Sequence, residues 1–159
     1  MKRIGLLLLL VVLASGFIYA ENKVLSLDGD GDYIEIPEGV WFDGDFTIEA
    51  WVFIRKHTNW SVVIGFGGAD RVDVLFIIEN GEFGLPWFAV RAGTKWQEIT
   101  SGVSLELNSW VHLACTLNGN SATIYINGVE VGSGNIATLP NNVIRKSNFI
   151  GRSSRGLSQ

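Results

Sequence analysis

WVHLACTLNGNSATIYINGVEVGSG, residues 110–134, decides the fold. Apolar and polar side chains alternate through Val111–Leu117 and again through Ala122–Ile126, the two-residue period of strands that bury one face. Asn127-Gly128 supplies the positive φ angles of a two-residue type I′ hairpin, and Asn118-Gly119-Asn120 does similar work one strand earlier. Residues 110–133 therefore read as a three-stranded meander. Ile124 and Ile126 form its core-facing row against Thr123, Tyr125 and Asn127.

The same signals recur on both sides of the meander. Short runs rich in Val, Ile, Phe, Trp and Tyr are separated by Gly, Asn and Asp clusters, and no long window has a 3.6-residue period. Strands are expected near 23–27, 33–36, 45–54, 61–66, 72–78, 86–91, 95–100, 110–117, 122–127, 129–133 and 148–152. In the run 46–54, Phe46, Ile48, Ala50, Val52 and Ile54 make one apolar row, while Thr47, Glu49, Trp51 and Phe53 make the other. A central strand whose second face is partly covered by a loop is expected, with an aromatic binding platform as the alternative. Pro37, Pro86 and Pro140 stand where turns or strand ends are expected.

Residues 1–20 stand apart. Lys2 and Arg3 precede the apolar run Ile4–Leu13, and Ala20 is a small residue at a plausible cleavage point, the pattern of a secretory signal peptide. The alternative is an uncleaved membrane anchor. Its removal leaves 139 residues, read as one domain over 21–152 and a polar tail over 153–159. The whole chain has net charge −4, and loss of Lys2 and Arg3 makes it −6, which argues against a nucleic-acid partner. A secreted or extracytoplasmic location is expected. Cys115 is the single cysteine, so no intrachain disulfide forms, and its place in a strand pattern suits a small core residue.

Five phrases carry a family resemblance: LDGDGDYIEIP (27–37), DFTIEAWVFIR (45–55), WVHLACTLNG (110–119), ATIYINGVEVGSG (122–134) and NFIGRSS (148–154). Together they resemble the laminin-G-like, concanavalin-A-like jelly-roll family. The resemblance implies an all-β fold, a two-sheet antiparallel β-sandwich, and an extracellular binding role. The partner is expected to be a glycan, or alternatively a surface protein in an adhesion assembly; a glycoside hydrolase fragment is the least favoured reading. It also implies that Trp51 and Trp110 belong to the core, and that His112 holds a structural place in the W-x-H strand. Domains of this family usually continue past the strand matching Asn148–Gly151 into one further strand, of the type G-x-I-D-E-V-R-I-Y. Here the sequence reaches Gln159 without that pattern. Unpaired backbone is therefore expected near Val24–Leu27.

Several constellations invite chemistry. Asp28-Gly29-Asp30-Gly31-Asp32 suggests an EF-hand, but the sixth position is Tyr33 and the twelfth Gly39, where that loop needs Gly and Glu. A calcium site of another kind could draw on Asp28, Asp30, Asp32 or Asp70, with Asp43 and Asp45 nearby; the alternative is an acidic turn. The order FTIEAWV, polar loop, strand also resembles the pentraxin branch, in which an acidic loop residue ligates calcium; Asp70 is the nearest match here and Asp73 the next. That branch places further acidic ligands where this chain has Arg152-Ser153-Ser154-Arg155, so its double-calcium site is not expected. The glucanases of this fold carry E-x-D-x-x-E on one strand; no segment matches, and Glu49 is the lone carboxylate of its strand, with Glu79, Glu82 and Glu98 at turns or on separate strands. No catalytic residue is assigned. His57 and His112 lack transition-metal spacing, and His57 is expected in solvent. Trp41, Trp51, Trp60, Trp87, Trp96 and Trp110 are many for one module, and an indole face packs on a pyranose. Trp60, Trp87 and Trp96, flanked by Gly, Lys, Gln and Glu, are the expected exposed ligand platform. Asn59-Trp60-Ser61 fits the N-glycosylation pattern.

Overall fold

The computed structural model describes residues 23–68, 72–78, 84–140 and 142–154. The expected signal segment, Asp70, Glu79, Glu82 and tail residues 155–159 lie outside them. Every regular element among the described residues is a strand: β1 (Ile34–Ile36), β2 (Gly39–Val40), β3 (Phe46–Phe53), β4 (Val62–Gly67), β5 (Val72–Ile77), β6 (Trp87–Ala92), β7 (Lys95–Thr100), β8 (Trp110–Asn118), β9 (Ser121–Ile126), β10 (Val129–Asn135), β11 (Ile144–Arg145) and β12 (Ser147–Ile150). Among the described residues no helix is long and apolar enough to cross a membrane.

The meander forms as read. Asn127 and Gly128 adopt φ 51° and 79°, the left-handed angles that turn β9 into β10 without splaying the strands. Pairing across it continues to β3, giving a four-stranded sheet in the order β10-β9-β8-β3. The other sheet has six strands in the order β1-β12-β4-β5-β6-β7, and β2 pairs with β11 in a short ribbon. All neighbours are antiparallel.

Strand alternation builds the core. Phe66, Val74, Phe76, Phe88, Val90 and Ile99 face inward from the six-stranded sheet and meet Val111, Leu113, Cys115, Leu117, Ala122 and Ile124 from the four-stranded one. Phe42 plugs one end, its ring 4.5 Å from Phe46 and 5.1 Å from Phe66. Burial pushes the Cys115 thiol far above its usual range, as expected for a core residue.

Two expectations need correction, and one element was missed. Residues 23–27 form no strand, and Val24 and Leu25 are exposed. The ribbon β2–β11 carried too short an apolar pattern to be read from sequence. The run 46–53 is an edge strand, because β3 pairs with β8 alone among the described strands.

Candidate functional site

Two aromatic groups stand on the outer faces of the sandwich. The first follows from the β3–β8 register, which sets Trp51 opposite His112 and Phe53 opposite Trp110. Opposed residues of an antiparallel pair share a face. Inward-facing Val52 and Val111 therefore send these four rings outward. Trp51–His112 ring centroids lie 5.3 Å apart and Phe53–Trp110 centroids 5.6 Å apart. Trp51 is 64% exposed, Trp110 49% and Phe53 37%. Polar groups border the array: Glu49 lies 3.6 Å from His112 Nε2, and the Arg55 guanidinium stands 5.8 Å from the Phe53 ring centroid. His112 is anchored through its backbone N–H, which donates to Asn127 Oδ1 at 2.9 Å.

This overturns the expectation that Trp51 and Trp110 are core. The core placement came from the family resemblance; in the strand itself Trp51 shares its row with Thr47 and Glu49, opposite the wholly apolar row of Phe46, Ile48, Ala50 and Val52. The register decides it, and no described element covers the outer row.

The second group is the expected platform. Trp60, Trp87 and Trp96 do come together on the outer face of the six-stranded sheet, with ring centroids 6.1 Å apart for Trp60–Trp87 and 5.8 Å for Trp87–Trp96. They form a covered cluster, however. Trp87 is only 5% exposed, packed with Val62, Leu75, Ile77 and Ala89, and Trp60 and Trp96 are half-buried against it. This sheet face is itself apolar, and the loop before β4 folds onto it; the Ile78 N–H donates to Ser61 C=O at 2.7 Å and fastens that loop. Trp60 reaches the cluster at φ 67°, an uncommon angle for a bulky residue. The Trp87 indole N–H is buried with no hydrogen-bond partner among the described residues.

Beside the cluster, Asp73 and Arg91 form a buried ion pair with a closest N···O of 3.8 Å, and the Arg91 guanidinium lies 5.2 Å from the Trp96 ring centroid. Chain beyond β12 closes over this region. Cβ atoms on Gly65 and Gly67 would meet Ser154 at 3.2 and 2.6 Å, so glycine at both positions makes room for the crossing. Ser154 Oγ then donates to Asp73 Oδ1 at 3.4 Å. Arg145 is buried with its guanidinium 4.8 Å from the Phe42 centroid; burial lowers its pKa while Asp73 opposes the shift.

The acidic turn uses its carboxylates locally. The Asp30 N–H donates to Asp28 Oδ1 at 2.8 Å, and the Asp28 N–H to Asp32 Oδ2 at 3.4 Å. Asp45 Oδ1 accepts the Gly119 N–H at 2.6 Å and ties the β8–β9 turn to β3. Among the described residues no three His, Cys, Asp or Glu side chains are grouped to hold a metal ion; Asp70, the remaining candidate ligand, lies outside them. His57, expected in solvent, is half-buried against Gly84, where a Cβ would meet its ring at 2.5 Å.

Comparison with known proteins bears on the fold. The profile of the concanavalin A-like lectin/glucanases superfamily, of laminin G type, matches residues 28–159. Domain 4 of AbnA, a GH43 extracellular arabinanase from Geobacillus stearothermophilus in complex with arabinotriose, is similar at 20% identity and a TM-score of 0.61, over 74% of this chain and 56% of that one. Domains LG4-5 of the mouse laminin alpha1 chain are similar at 11% identity and a TM-score of 0.55, over 68% of this chain and 28% of that one. At these identities the likeness is one of fold. No curated protein is recognisably similar to the chain.

Proposed function

Because the chain belongs to the concanavalin A-like lectin/glucanases superfamily, we propose that it is an extracellular, non-catalytic binding module that recognises a glycan on the array of Trp51, Phe53 and Trp110. One observation carries this reading: three large aromatic side chains lie side by side and open to solvent on a sheet face. Exposed indole and phenyl faces stack on the apolar faces of sugar rings, while Glu49, His112 and Arg55 stand where hydroxyl groups would project. The arabinotriose held by the arabinanase domain supports a carbohydrate ligand for this fold. The non-catalytic reading rests on Glu49, whose neighbour on the open face is His112 and not a second carboxylate.

Affinity electrophoresis on a panel of polysaccharides, arabinan included, tests the proposal. The native protein is expected to be retarded by at least one of them. Trp51→Ala and Trp110→Ala should each weaken binding about 5- to 30-fold, the equivalent of about 1–2 kcal/mol, without unfolding the domain. Absence of retardation on every polysaccharide by a folded protein would refute it.

A further inference from the structure

The outer face of the four-stranded sheet runs on past its aromatic end. Leu113, Cys115 and Leu117 of β8 and Ala122 and Ile124 of β9 lie in the core, so the residues between them face outward. Pairing sets Thr47, Thr116, Thr123 and Ser133 side by side across β3, β8, β9 and β10, with Thr47 and Ser133 exposed. One row further on, Asn118, Ser121 and Asn135 stand in register, and all three are exposed. The face opens there into a hollow of about 400 Å³ lined by Asn120, Ser121, Ser133, Gly134 and Asn135. Its hydroxyl and amide groups both donate and accept hydrogen bonds, as the hydroxyls of a sugar do.

Another row, Glu49, Ala114, Tyr125 and Glu130, lies between the rings and these polar rows. Its two carboxylates stand exposed on β3 and β10, and none of the outward residues described on the four strands is Lys or Arg. Arg55 lies beyond the end of β3, beside Phe53. Ser133 Oγ donates to Glu130 Oε1 at 2.7 Å, and Glu49 lies 3.6 Å from His112. The register places Asn135 three strand spacings across the sheet from Trp51 and three rows along it, a span of roughly 25 Å. A short sugar on the rings leaves the hollow uncovered.

Resting on the glycan reading of Trp51, Phe53 and Trp110, we propose that the hollow is a second subsite, and that this face takes an extended, neutral polysaccharide chain laid from the rings to Ser121 and Asn135. Sugar rings stack at the aromatic end, and sugar hydroxyls exchange hydrogen bonds with the hydroxyl and amide groups at the other. The middle row selects the charge of the chain. An acidic polysaccharide on this path would carry anions within roughly 7 Å of both Glu49 and Glu130, half of three strand spacings and inside the Debye length of about 8 Å at physiological salt. Uncharged hydroxyls instead donate to these carboxylates, which only accept.

Affinity electrophoresis compares three neutral polymers, arabinan, xyloglucan and hydroxyethylcellulose, with the anionic polygalacturonate and carboxymethylcellulose. At least one neutral polymer is expected to retard the protein, and both anionic ones to do so about tenfold less or not at all. Oligosaccharides cut from the retarding polymer then compete with it, and the hexasaccharide should compete about tenfold or more better than the disaccharide. Ser121→Ala combined with Asn135→Ala should remove that advantage, since about two hydrogen bonds are worth roughly tenfold. Both side chains are exposed, so the double variant should keep the native thermal midpoint, and the comparison of lengths on the native protein does not depend on it. Retardation that Trp51→Ala weakens, with equal competition by the two lengths or an advantage the double variant keeps, overturns the second subsite and leaves the aromatic site standing. Stronger retardation by either anionic polymer overturns the neutral chain. No retardation of the folded protein by any of the five removes the aromatic site and its extension together.

Discussion

Replacing Trp87 by alanine and, separately, Trp51 by alanine sets the covered indole against the open one. Trp87 is 5% exposed within a cluster of five buried residues, so the substitution loses its burial and leaves a cavity under Trp60 and Trp96. Aromatic truncations of this kind cost about 3–5 kcal/mol, a large share of the roughly 5–15 kcal/mol that holds a domain folded. For a domain of this size the thermal midpoint should fall by about 10–20 °C. Trp51, 64% exposed, buries roughly a third of the 150–250 Å² available to an aromatic side chain, worth at most about 1–2 kcal/mol. Trp87→Phe adds a sign. It opens a smaller cavity but removes an indole N–H that is buried without a partner among the described residues, a defect costing about 1–3 kcal/mol, so the two terms nearly cancel and stability should stay close to that of the native protein. Differential scanning calorimetry of the four proteins supplies the midpoints. Equal losses for Trp87→Ala and Trp51→Ala, or the reverse order, would refute the assignment of the two sheet faces.

Cys115 should resist iodoacetamide at pH 8 in the native protein and react only on unfolding, because burial raises its pKa and keeps the thiol protonated; prompt labelling monitored by mass spectrometry would contradict its place in the core. Gly67→Val should displace Ser154 from Asp73 and speed carboxypeptidase trimming of the C-terminal end, since a Cβ there already comes within 2.6 Å of the Ser154 side chain; unchanged trimming would argue against the crossing. Adding calcium should leave the thermal midpoint unchanged, because the carboxylates of Asp28 and Asp32 bond within their own turn; a rise that EDTA reverses and Asp28→Asn abolishes would instead establish a metal site.

Local pattern was enough for the meander, and the family resemblance of the five phrases supplied the sandwich. Asn127-Gly128 admits few backbone geometries, and alternation on either side of it commits β8, β9 and β10 to one buried face, so those elements could be read residue by residue. Proximity of Trp60, Trp87 and Trp96 was also legible, since all three flank the middle strands. Their cover was not, because it comes from the loop that brings Trp60 onto the outer face at the end of the β4–β5 ladder. Trp51 and Trp110 were misplaced for a different reason. The family resemblance placed them in the core, whereas Trp51 and Phe53 share their row with Thr47 and Glu49, and the pairing of β3 with β8 turns that mixed row outward together with Trp110.

The sequence by itself determined the all-β class, the hairpins and the rows of side chains that share a face, because turn chemistry and a two-residue period act over only a few residues. Only the tertiary structure decided which of those faces meet solvent, that β3 lies at an edge, and that four strands are stacked on six. Burial and edge position belong to the packing of segments far apart in the chain, and no local pattern encodes how wide the opposing sheet will be.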